Sequence, residues 1–148
     1  MQERSPARVF GLVVGVTLIA AGIIGFFYSA SFSTGDGADR DAVLGILDVN
    51  GWHNVVHLAT GALALALAAS SRRARTYAIG FGVVYLLVTL LGFIVGDGNE
   101  ILGLIPVNTE DNFLHLLIGT AAIAAGLATP AGEPSTTLKG SDPLSVSA

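Results

Sequence analysis

Three histidines and one aspartate have the residue types and spacing from which chemistry can be read. His53 and His57 stand four residues apart, as do Asp111 and His115. On a helix that separation puts two side chains on one face. Imidazoles and a carboxylate sharing a face are ligands for divalent transition ions such as zinc or copper, so His53, His57, Asp111 and His115 form a candidate metal set. Asp48 and Glu110 are close enough in the chain to join that set or compete with it. His57 and His115 as a pair also suit the axial positions of a b-type haem between helices. The leading reading needs no cofactor: Asn54, His57, Asn112 and His115 hydrogen-bond across a helix interface as a polar cluster that fixes register. Asn50 and Asn108 precede the same segments and read as helix N-caps, accepting from unpaired backbone N–H groups. Nothing resembling H-E-x-x-H, G-x-S-x-G or a P-loop occurs in the sequence, and no enzymatic activity is expected.

The elements that must position these residues are strongly apolar. The 148-residue chain is 52% hydrophobic and 12% charged, about half the charge of a soluble domain. Seven Lys and Arg against eleven Asp and Glu leave a formal charge of −4, which provides no basic patch and excludes a nucleic-acid partner. The lack of cysteine excludes disulfides, thiolate metal sites and iron–sulfur clusters. Four windows free of charged residues run from about Val9 to Tyr28, Trp52 to Ala69, Thr76 to Val95 and Asn112 to Ala128, each near the ~20 residues that span a bilayer as a helix. The predicted fold is therefore an all-α membrane protein, with a four-helix transmembrane domain over residues 1–130. Residues 131–148, with Pro134, Pro143 and scattered Ser, Thr and Gly, are expected to form a disordered cytoplasmic tail. The first window differs from a signal peptide cleaved near Ser29-Ala30-Ser31 in its greater apolar length and in having an internal copy.

Positive charge sets the orientation. Arg4 and Arg8 precede the first window, and Arg72, Arg73 and Arg75 fill the turn between the second and third; both segments are expected on the cytoplasmic side. Acidic connections carrying Asp36, Asp39, Asp41 and Asp48, then Asp97, Glu100, Glu110 and Asp111, are expected outside, with both termini in the cytoplasm.

The chain also repeats itself. The run Val49 to Gly61 lies over Val107 to Gly119 without a gap, matching Val, Asn, Asn, His, Leu and Gly; Arg8, Gly15, Gly25 and Phe26 match Arg75, Gly82, Gly92 and Phe93 more weakly. Two helical hairpins that enter the membrane in the same direction are related by an axis along its normal. The expectation is that helices two and four meet near that axis at Gly61 and Gly119, with His57 facing His115 and small residues allowing close approach.

The residues Trp52 to Gly61, the segment Arg75 to Gly92 with Tyr77, Gly82 and Tyr85, and the run Asn108 to Gly119 together resemble a bacterial family of four-helix membrane proteins catalogued as domain of unknown function 4383. The resemblance spans about residues 8 to 128. It implies a bacterial plasma-membrane location and no assigned activity; the acidic Thr34 to Asp48 loop departs from the family pattern. The function expected is that of a multi-pass, non-enzymatic structural or accessory component, with the lipid bilayer and a membrane-protein partner or second copy as its company. A metal- or haem-binding membrane protein using His53, His57, His115 and Asp111 is the alternative.

Overall fold

The computed structural model of the chain describes residues 5–131; Arg4 and nearly all of the expected tail lie outside them. Helix α1 (Pro6–Tyr28) leads to a β-hairpin, β1 (Asp41–Val43) and β2 (Leu47–Val49), and then to α2 (Gly51–Leu67). The same order follows again: α3 (Ser71–Val95), a hairpin of β3 (Asn99–Ile101) and β4 (Ile105–Val107), and α4 (Thr109–Leu127). Helix α1 packs chiefly on α2, and α3 chiefly on α4. By length and composition, α1 and α3 are apolar enough to cross a membrane.

Local chemistry sets the element boundaries. Pro6 supplies the fixed φ of a first helical turn in α1. Ser70 caps α3 through its side chain and Arg73 N, so this helix begins before the apolar window at Thr76 and carries Arg72, Arg73 and Arg75 on its first turns. Helix α2 ends at Leu67, where Arg8 Nε donates to Ala68 O at 2.9 Å; likewise Arg75 Nε donates to Thr129 O at 3.0 Å beyond α4. Cations at helix C-termini satisfy orphan carbonyls and complement the helix dipole.

Between these ends, a buried cluster of Val14, Leu18, Ala64, Tyr77, Phe81, Tyr85 and Ala122 joins all four helices. Tyr77, Phe81 and Tyr85 stack along α3 with centroids 5.3 and 4.0 Å apart, and Tyr77 Oη donates to Thr60 O at 3.0 Å.

The glycines do not lie where the repeat argument expects them. A Cβ on Gly61 would strike Gly15 O and Ile19 of α1, and one on Gly119 would strike Tyr85 and Leu86 of α3. The close approaches are therefore α1 to α2 and α3 to α4. Helices α2 and α4 share no extended contact. Each helix pair is continuous through its own hairpin, and backbone proximity within that pair is where a missing side chain helps most.

The acidic connections, expected as loops, contain the two β-hairpins. Asp41 pairs with Val49 and Val43 with Leu47; Asn99 pairs with Val107 and Ile101 with Ile105. Their three-residue loops place Leu44 and Gly45, and Leu102 and Gly103, at positive φ, the central pair of a type I′ turn closed by Ile46 N to Val43 O and Leu104 N to Ile101 O.

Candidate functional site

The site lies where α2 and α4 begin, beneath the hairpins. Asn50 Oδ1 accepts from His53 N at 2.9 Å, and Asn108 Oδ1 accepts from Asp111 N at 2.8 Å, so each asparagine ends a helix as an N-cap does. Their amide nitrogens reach across the molecule: Asn50 Nδ2 donates to Leu104 O at 2.7 Å, and Asn108 Nδ2 to Ile46 O at 2.6 Å. Each cap thereby holds the turn of the opposite hairpin. Arg40 adds an ion pair to Asp48 at 3.4 Å and one to Glu100 at 2.7 Å, and Asp48 N donates to Asp111 Oδ2 at 3.0 Å.

Beneath this cap the three histidines converge. One ring nitrogen from each of His53, His57 and His115 lies within 4.8 Å of the others. His53 and His115 are buried, at 3% and 5% exposure, while His57 is half-buried. His53 Nδ1 is 2.9 Å from Asp48 O. A carbonyl only accepts, so that nitrogen carries the hydrogen, and Nε2 of the neutral ring presents a lone pair. His53 Nε2 points at His57 Nε2, 3.1 Å away. The His115 ring sits edge-on to Tyr85 at 5.1 Å, and its Nδ1 is buried with no hydrogen-bond partner among the described residues.

The other nominated residues separate from this cluster. Asp111 lines one cavity together with the three histidines but is not in the set of mutually close ligand atoms. Asp48 contributes its backbone carbonyl, its carboxylate being turned to Arg40. Glu110 is exposed. Asn54 and Asn112 do not bond across the two halves, which corrects the polar-cluster expectation for this pair. Asn54 Nδ2 donates to Ser29 O at 2.8 Å, and its side chain fills the space left by Gly25, as that of Asn112 fills the space beside Gly92. Each asparagine joins two helices of its own half.

Two contributors escaped the sequence reading. The Asp48 carbonyl acts through the backbone, which leaves no residue-type signal. Leu44-Gly45 and Leu102-Gly103 fall at the same offset as Asn50 and Asn108, so extending the repeat alignment toward the N-terminus would have found both turns.

The arrangement offers a cluster of nitrogen donors in the wall of a mostly apolar cavity of about 460 Å³, a volume within the range of small-molecule sites. No curated protein and no solved structure matches the chain. A family profile does match, over residues 8–128, and most of the helical scaffold and every residue of the histidine site fall inside that span. The chain belongs to the family described as domain of unknown function (DUF4383).

Proposed function

We propose that the protein is a four-span membrane protein that holds a divalent transition ion of the zinc type on His53, His57 and His115, on the outer side of a bacterial plasma membrane with both termini cytoplasmic. The convergence of three imidazole nitrogens within 4.8 Å carries this reading. Three histidines with a fourth position open are an established zinc donor set. The Asp48 carbonyl behind His53 Nδ1 is the kind of outer partner that orients a ligating imidazole. At 2.0–2.1 Å from each nitrogen, an ion spans about 4 Å at most between two ligands, a spacing that His53 Nε2 and His57 Nε2 already meet at 3.1 Å. Asp111 stays at the cavity wall and offsets charge. Haem fits poorly, because His53 Nε2 occupies the approach to His57 Nε2.

Support for four spans comes from the outward faces. Leu63 of α2 is 51% exposed and Leu117 of α4 is 67% exposed, matching Val84 and Ile94 of α3. Contiguous apolar surface on every helix belongs against lipid. Helix α2 has 17 residues and reaches about 26 Å at 1.5 Å per residue; the hairpins cover its outer end. Two parallel repeats about an axis along the membrane normal are consistent with the reciprocal Asn50 and Asn108 bonds. Those bonds also favour a second reading, in which the outer polar residues only tie the halves together.

Metal analysis of the detergent-purified chain, after zinc loading and dialysis, separates the two. The metal reading expects about one ion per chain, lost in His57→Ala and His115→Ala and released on acidification, since ligating imidazoles must be unprotonated. Asp111→Asn should weaken binding without abolishing it. Substoichiometric zinc in the wild type, or zinc unchanged by both histidine substitutions, would overturn it in favour of the structural tie.

A further inference from the structure

We infer that the cavity beside the histidines receives a long-chain carboxylate, whose head completes the coordination of the bound ion and whose chain lies along the seam between α1 and α4. The inference rests on the metal reading above and names the ligand that the open position accepts.

Shape gives the first argument. The walls are built by Val16, Ala20 and Ile24 of α1 and by Leu114 and Ile118 of α4. Val16 is 61% exposed and Ile24 47% exposed, so the mouth lies on the flank of the bundle, toward lipid, and not in the outer aqueous face. A second cavity of about 190 Å³ shares Thr17 and Ile118 with the first and continues past Phe10, Val13 and Ala121. The two cavities follow one another along the α1–α4 seam, and the polar groups His53, His57, Asp111 and His115 line only the first, an arrangement that suits one acyl chain with a polar head. Val43, Leu47 and Val49 of the first hairpin line the same cavity and cover its polar groups with apolar side chains.

Charge gives the second argument. Three neutral imidazoles contribute none, so a divalent ion beside the Asp111 carboxylate leaves one uncompensated positive charge in apolar surroundings, where charges persist only when paired. The N-termini of α2 and α4 both open at this end and add positive dipole ends. A monoanionic oxygen ligand balances this field; a neutral alcohol or amide does not. The geometry thus selects a carboxylate head over a neutral one.

The full chain, loaded with Co²⁺ in place of zinc and held in phosphatidylcholine nanodiscs, provides the test. Dodecanoate should perturb the visible Co²⁺ absorption saturably, at a concentration at least tenfold lower than acetate requires, while dodecanol should leave it unchanged. Ala20→Phe, on an exposed position of the wall, should raise the dodecanoate requirement at least tenfold with Co²⁺ content unaltered; Ile24→Trp serves the same purpose at the mouth. A Co²⁺-loaded protein whose spectrum dodecanoate does not move, or moves no better than acetate, overturns the inference. So does equal response in both wall-filling variants, or displacement of dodecanoate by low amounts of phosphatidic acid, which would assign the seam to a membrane phospholipid. A wild type that retains no Co²⁺ overturns the metal reading itself, and the metal content distinguishes that failure from the others.

Discussion

Asn54 and Asn112 occupy a place in the fold that their residue type alone does not announce. Each is fully or nearly fully buried, each donates or packs against the neighbouring helix of its own half, and each leaves its Oδ1 without a partner among the described residues. An unpaired buried acceptor carries its desolvation cost, and each amide occupies the space that the absent side chain of Gly25 or Gly92 leaves. A methyl on Gly25 would overlap the Asn54 amide, so Gly25→Ala should lower stability by about 1–3 kcal/mol. Gly80 meets nothing within 4 Å, and Gly80→Ala should leave the melting temperature unchanged or slightly raised. Thermal melts of both variants in one detergent check the pair; similar melting temperatures would deny the Gly25 to Asn54 contact. At this scale the i, i+4 spacing already placed His53 and His57 together. His115 was nominated through the repeat instead, and its distance from the other two depends on how two separate helices are set.

At the scale of elements, the four helices follow from apolar runs and from the caps Asn50 and Asn108, legible in the chain, to which the structure adds Ser70; each accepts from the backbone three residues on. Taken one connection at a time, the hairpins were hard to read for a physical reason. Their strands are three residues long, too short for alternation to emerge, and their turns use leucine where asparagine or glycine is the usual signal. Leu44 and Leu102 hold φ of 54° and 55° and are 78% and 87% exposed. A left-handed leucine costs roughly 1–2 kcal/mol, a cost that asparagine partly escapes. Leu102→Asn should therefore raise stability by up to about 1 kcal/mol, measured as an increase in melting temperature. A decrease would mean that the leucine side chain has a partner at the outer surface.

For the whole molecule, the consequence is a bundle with a polar cap at one end and arginine-anchored helix ends at the other. Reporter fusions after Arg73 and after Pro130 should read cytoplasmic, and one inserted near Asp39 external, as the distribution of arginine requires. An external Arg73 reporter would invert the protein and place the histidine site on the inner side. Composition, uncharged windows and the Asn-x-x-His matches were enough to read a helical chain and to nominate its three histidines, because hydropathy and residue spacing are local properties written directly in the order of residues. How the halves meet was not. The repeat suggested α2 against α4 through Gly61 and Gly119, yet those glycines pack on α1 and α3, and Asn54 and Asn112 follow them. Which face of a helix meets which neighbour depends on competition among all possible pairings. The folded chain resolves that competition by joining helices through short hairpins and by turning Asn50 and Asn108 across to the opposite turns, and this arrangement brings His115 to His53 and His57 and opens the cavity beside them.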